Sequence, residues 1–146
     1  MAILIPAMGS CASRMTSGER RLAERLGAAH REGHAWGDMA VICRRYDEMD
    51  ECAHALNRAR LPHQVRKGAG SFHTSEDTIK VLTMHASKGL EFSVVGLVGV
   101  GQMPAAGEDE REEARLFYVG ATRATRSLIV TASASSKFFK QIKYVS

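Results

Sequence analysis

No Gly-x-x-x-x-Gly-Lys-Ser/Thr stretch occurs anywhere in this chain. It therefore lacks the backbone cradle and lysine with which one large class of domains holds a triphosphate. Gly96, Gly99 and Gly101 do not fall in Gly-x-Gly-x-x-Gly order, which excludes a dinucleotide fingerprint. Cysteine is scarce. Cys11, Cys43 and Cys52 are odd in number and contain no Cys-x-x-Cys pair, as expected for a reduced, cytoplasmic compartment. His30 and His34 stand four apart with no third ligand in view, so no metal site is expected. No apolar run approaches the ~20 residues of a membrane helix. The opening Met-Ala-Ile-Leu-Ile-Pro-Ala-Met has no basic leader, and no membrane partner is expected. Charge is nearly balanced: 20 basic against 16 acidic residues leave +4, which permits a polyanionic partner without demanding one.

What is present suits one domain of 146 residues, 45% hydrophobic and 25% charged. Residues 1–15 are weakly patterned, and their first residues read as a short strand or a cut edge. Residues 16–146 read as the domain proper. Thr16-Ser17-Gly18-Glu19 resembles a capping box and opens a helix over 17–33, with Leu22, Leu26 and Ala29 at helical spacing. Met39 to Cys43 is a continuous apolar run of strand length. Asp47 to Arg60 returns to helical period, with its leading acids favouring the helix dipole, and Pro62 stops it. Short strands are predicted at 63–66, 78–84, 93–100 and 127–132, a helix over 110–124, and a terminal helix over 135–142 carrying Lys137 and Lys140. Apolar strands alternating with helices predict a layered α/β domain with a mostly parallel sheet.

Three segments carry candidate chemistry. Asp38 to Arg44 is an apolar strand that ends in an arginine. Thr83-Met84-His85-Ala86-Ser87-Lys88-Gly89-Leu90-Glu91-Phe92 packs five polar groups into a loop that follows one strand and precedes another, with Gly89 permitting a sharp turn. Glu112 to Ala124 is helical by pattern and contains Tyr118, Thr122 and Arg123. An arginine there keeps its charge and presents a rigid fork to phosphate oxygens.

Together these segments resemble motifs IV (about 38–45), V (83–92) and VI (112–124) of the UvrD/Rep class of superfamily 1 DNA helicases. The likeness covers residues 38–133. It implies a RecA-like (P-loop NTPase-like) fold without its own Walker A loop, equivalent to the second motor domain. With only residues 67–82 between motifs IV and V, the chain resembles compact members without the large accessory insertion. Position 114 is Ala where many members carry Arg. The resemblance implies an ATP-dependent 3′–5′ DNA helicase or translocase acting in processes such as DNA repair. By motif register Arg123 would be the arginine finger, with Arg115 and Arg126 as its rivals, and Arg44 a second γ-phosphate contact. Glu91, with Gly89 and Lys88, would lie at the nucleotide, and Thr83 and His85 at the single-stranded DNA backbone. ATP and Mg²⁺ would be held mainly by the N-terminal RecA-like domain of the same parent protein. Arg44, Glu91 and Arg123 are then expected to converge on one rim of the sheet. The alternative is a non-catalytic remnant that binds nucleic acid or protein.

Overall fold

The computed structural model describes residues 2–6, 17–67, 76–100 and 107–132. The expected terminal helix, with Lys137 and Lys140, and Cys11 lie outside the described residues. In chain order the elements are β1 (Ala2–Pro6), α1 (Ser17–Arg31), β2 (Met39–Cys43), α2 (Tyr46–Arg58), β3 (His63–Val65), β4 (Ile79–Thr83), β5 (Phe92–Val98), α3 (Glu110–Ala121) and β6 (Ala124–Ala132). Two 3₁₀ turns, Trp36–Asp38 and His85–Ser87, precede β2 and follow β4. The six strands form one sheet in the order β1-β6-β5-β2-β4-β3, and every pairing is parallel. The opening residues thus form an edge strand against β6.

Local sequence explains the helices. Glu19 lies in the first turn of α1, and His30 and Arg31 in its last, each complementing the helix dipole. Gly33, at φ +111°, ends the run. Asp47 and Glu48 occupy the first turn of α2, as helix openers should. The Asp109 side chain caps α3 by accepting from the Arg111 N–H at 2.9 Å, and three glutamates follow in the first turn.

β2 is central, and all five of its residues are fully buried. Its alternation divides the core in two. Met39, Val41 and Cys43 face Leu22, Leu26, Cys52 and Leu56 of α1 and α2. Ala40 and Ile42 face the α3 side, where Leu116 and Phe117 pack over Leu82, Leu97 and Val130. β5 carries an irregularity in its pairing with β6 between Phe92 and Val94. Such a bulge shifts the period of two. Phe92 consequently shares the α3-side core with Val95 and Leu97, while Val94 lies in the other.

Most boundaries fall within two residues of the sequence expectation, and two differ by three. α3 stops at Ala121, three residues early, because the Thr122 hydroxyl bonds back to the Tyr118 and Val119 carbonyls at 2.8 and 3.2 Å. β6 starts at Ala124 rather than Ser127. Arg123 therefore sits in the tight turn between helix and strand, not on the helix.

Gly96 shows how closely α1 approaches the sheet. A side chain at this position would meet Leu22 Cδ1 at 2.5 Å, and Leu22 is itself buried. Gly96→Val is expected to lower stability by about 1–3 kcal/mol through overpacking, measured as a fall in urea midpoint. An unchanged midpoint would show that α1 has room to move.

Candidate functional site

Parallel strands give the sheet two distinct rims. Cys43 of β2 pairs with Thr83 of β4 and with Val98 of β5, so Arg44 and Met84 emerge at the carboxyl rim. Phe92 pairs with Ala124, which puts Glu91 and Arg123 at the amino rim. β5 separates the two by about 20 Å, at ~3.3 Å per residue. The motif-like segment Met84 to Glu91 runs from one rim to the other across the α3-side face.

The start of this crossover is locked. Met84 N–H donates to Cys43 O at 2.9 Å. Thr83 Oγ1 accepts from the Ala86 N–H at 3.2 Å and so caps the 3₁₀ turn. Ser87, fully buried, donates its hydroxyl to Met84 O at 2.7 Å. His85, Lys88, Gly89 and Glu91 are exposed. Gly89 has φ +82°, with open space where a side chain would stand; only glycine adopts that turn without strain.

α3 spans the same face. At its first turn Glu113 is 3% exposed and Arg44 19% exposed. Arg44 Nη2 donates to Glu113 Oε1 at 2.5 Å, and Nε donates to both carboxylate oxygens at 3.0 and 3.2 Å. The Glu113 contact pushes the arginine pKa up further, so Arg44 remains a cation committed to that partner. Beyond the other end of α3, Arg123 donates from Nε to Val119 O at 3.0 Å, from Nη1 to Leu90 O at 3.4 Å and from Nη2 to Thr122 Oγ1 at 3.2 Å. All three acceptors are neutral. Among the described residues no carboxylate forms an ion pair with Arg123. Glu91 is bracketed by contacts to this arginine, because Leu90 O takes its guanidinium and the Phe92 N–H donates to its carbonyl at 2.9 Å.

The expected convergence on one rim is therefore only partly realised. Glu91 and Arg123 share the amino rim. Arg44, Thr83 and His85 share the carboxyl rim, with Lys88 and Gly89 on the crossover between them. Val119 and Glu113, which anchor the two guanidiniums, are about 9 Å apart along the helix at 1.5 Å per residue. The two guanidiniums are thus held at separate points along α3, Arg44 by Glu113 and Arg123 by Val119. Arg44 is the member that departs, because it follows β2 whereas Glu91 and Arg123 immediately precede β5 and β6, and in an all-parallel sheet those positions fall on opposite rims.

Between the crossover and α3 lies an open groove of about 740 Å³, lined by Arg44, His85, Lys88, Glu112, Glu113 and Tyr118 among others. Tyr118 is 68% exposed there. Sequence reasoning missed Glu113, although a signal existed. An acid at 113, with Leu116 and Gly120, falls on the buried stripe of α3, where a carboxylate requires a partner. It also missed Glu48, whose carboxyl is buried at the start of α2. Desolvation, reinforced by Asp47, pushes its pKa from 4.5 up to about 7, and its Oε1 has no hydrogen-bond partner among the described residues. Among those residues no group of acids, histidines and cysteines could hold a metal ion, and no helix is long and apolar enough to cross a membrane.

The described strands form a parallel sheet with helices on both faces, a layout shared by several α/β folds, and the likeness to helicase domains identifies it as RecA-like. It superposes on the C-terminal domain of a possible DNA helicase from Lactobacillus plantarum WCFS1 with TM-score 0.67 and 19% identity, covering 92% of this chain and 74% of that one. It also superposes on the Hef helicase domain of Pyrococcus furiosus with TM-score 0.56 and 12% identity, covering 88% and 28%. Residues 69–135 match the UvrD-like helicase C-terminal domain family. DNA helicase II of Escherichia coli K12 is 36% identical over 107 residues, covering 68% of this chain and 15% of that protein. The ATP-dependent DNA helicase Rep of Buchnera aphidicola is 40% identical over 62 residues, covering 38% and 10%. The chain thus spans about 15% of the length of the first curated relatives it matches. The resemblance to a UvrD-like helicase C-terminal domain, read from the motifs, holds.

Two outcomes follow from the buried acids. Glu113→Ala strands the Arg44 charge and is expected to cost about 2–4 kcal/mol, less than a fully buried pair because Arg44 is partly exposed. The Arg44→Met/Glu113→Leu double variant should recover much of that loss in a double-mutant cycle. Additive losses would show that the two side chains act independently. Glu48 works in the opposite sense. Between about pH 4.5 and 7 the unfolded chain releases a proton that the folded chain keeps, so stability falls as pH rises through that window and is level above it. Glu48→Gln should flatten this slope and raise stability at pH 8 by roughly 1–3 kcal/mol. A wild-type slope that persists in Glu48→Gln would assign the effect to another group.

Proposed function

We propose that this chain is the second motor domain of an ATP-dependent 3′–5′ DNA helicase or translocase, and that it completes a composite ATPase site with an N-terminal RecA-like domain of the same parent protein. The supporting observation is Arg123. It is a half-buried guanidinium that donates to neutral oxygens and forms no ion pair among the described residues, on the same rim as the exposed Glu91. A cation held without a counter-charge is poised to receive an anion.

ATP with Mg²⁺ supplies the phosphoanhydride whose hydrolysis drives such motors. The residues here fit part of that ligand and not the whole, because no phosphate-cradling loop is present. In this reading Arg123 stabilises charge developing on γ-phosphate oxygens, as an arginine finger entering from the second lobe. Glu91 accepts hydrogen bonds from ribose hydroxyls. Gly89 lets the crossover turn so that Lys88 and Glu91 stay on the surface. Arg44 enters as a brace for α3 rather than as a second phosphate ligand. At the far rim, Thr83 and His85 meet the backbone of single-stranded DNA without reading sequence. The crossover then joins the DNA end of the site to the nucleotide end.

The test is kinetic. In the two-lobe parent, Arg123→Ala should lower kcat by about 10³-fold or more while ATP affinity changes only a few-fold. The 146-residue chain alone should hydrolyse no ATP. If affinity collapses while turnover per bound ATP persists, Arg123 is not the finger. If the lone chain turns over ATP, the composite site is wrong.

A further inference from the structure

On the face opposite α3, α1 and the end of α2 enclose an open groove of about 390 Å³ whose lining includes Arg20, Arg31, Arg58, Glu24, Gly27 and Leu61. We propose that this groove binds the sugar–phosphate backbone of a nucleic-acid duplex, at a surface separate from the motor site and independent of its assignment.

The charges support it first. Arg20, Arg31 and Arg58 are all exposed, and among the described residues none of them is in an ion pair. Arg31 lies over the groove floor, with its Nη1 3.6 Å from the point where a side chain on Gly27 would begin. Glu24 is the acid on the lining, against three arginines. The motif groove on the other face is balanced by comparison. Arg44 is matched by Glu113 and Arg115 by Glu112, leaving Lys88 opposite Glu108. Among the described residues a local basic excess lies along α1 and just past the end of α2. Arg20, Arg21, Arg25, Arg31, Arg58 and Arg60 stand there against Glu19, Glu24 and Glu32.

The geometry selects the ligand class. Guanidinium forks match phosphate oxygens. Arg20 and Arg31 are separated by eleven residues of helix, about 16 Å, which corresponds to a reach of roughly five base pairs at 3.4 Å each. Among the described residues no aromatic side chain lines the groove, so these residues offer no platform for unstacked bases, the usual requirement for single strands. Its floor of glycine, alanine and one leucine also lacks the deep apolar pocket that anchors a peptide helix. A backbone contact that ignores sequence fits what remains.

Fluorescence anisotropy with the 146-residue chain and a labelled 16-base-pair DNA duplex, from 50 to 200 mM salt, tests this. Arg20→Gln/Arg31→Gln/Arg58→Gln should weaken binding at low salt at least about tenfold and reduce the slope of log K against log salt by about 2–3. The corresponding triple lysine variant should stay within about threefold of wild type, because charge is retained. Gly27→Glu sets a carboxylate among the three guanidiniums while favouring the helix. It should reproduce the loss if the glutamine variant folds poorly. Duplex binding unchanged in the glutamine and Gly27→Glu variants would overturn the proposal. So would a wild-type chain that does not bind duplex, or polyglutamate of equal charge that competes as well as duplex does.

Discussion

An eight-residue connection with little slack organises this domain. Parallel strands are ordinarily joined by a dozen residues or more, usually including a helix. Here Met84 to Glu91 must pass from the end of β4 to the start of β5, stepping over β2. The path is about 20 Å back along the strands and about 10 Å sideways across two strand spacings, roughly 22 Å in all. A stretch of this length, with three residues coiled in a 3₁₀ turn at ~2 Å each, reaches little more than that. The residues on it consequently have fixed positions. Thr83 caps the turn, Ser87 is sealed against it, and His85, Lys88 and Glu91 are left as the outward-facing groups.

α3 spans the same face beside the crossover, and its two ends are held by different physics. At its start, the Arg44–Glu113 pair joins β2 to the helix by three hydrogen bonds in a largely desolvated place. Such a pair adds little net stability over an apolar replacement, and what it supplies here is a fixed register for α3 against the sheet. Beyond the helix end, Arg123 is held by backbone carbonyls of α3 and of the crossover. The crossover and α3 therefore meet at both rims. A displacement of either is transmitted to the other, because close packing leaves no room to absorb it. Gly120 lets the helix approach Leu97 and Met84 closely.

Much of this arrangement is legible in the sequence, and the remainder is illegible for definable reasons. The apolar run Met39 to Cys43 and the helical spacing after Asp47 identify β2 and α2 because burial on both faces or on one stripe leaves a periodic trace. The dense string from Thr83 to Phe92 is recognisable because its polar residues crowd a short connection. What sequence does not carry is pairing at a distance. Arg44 and Glu113 are 69 residues apart, and nothing in either neighbourhood marks the other. The early end of α3 depends on one hydroxyl, Thr122, choosing the carbonyls behind it. Glu91 and Arg123 fall on the amino rim because each immediately precedes a strand and the pairing is parallel, a direction that local pattern alone does not encode.

The distribution of charge carries the synthesis furthest. Clustering acids and bases in matched pairs near α3 keeps that face close to neutral, so its local chemistry rests on the few groups left unmatched, Arg123 and Glu91 above all. α1 has the opposite character, with arginines distributed along an exposed helix and few acids to quench them. An unquenched cation on an open surface is well hydrated and costs little while it waits. One held half-buried among carbonyls, as Arg123 is, has already lost part of its water. The two faces are thereby suited to different encounters. The arginines of α1 can draw a polyanion from a distance, within the ~8–10 Å over which salt leaves their field effective. In the proposed function Arg123 acts on an anion delivered into contact, where the partial desolvation already imposed by the fold strengthens the interaction relative to an exposed pair.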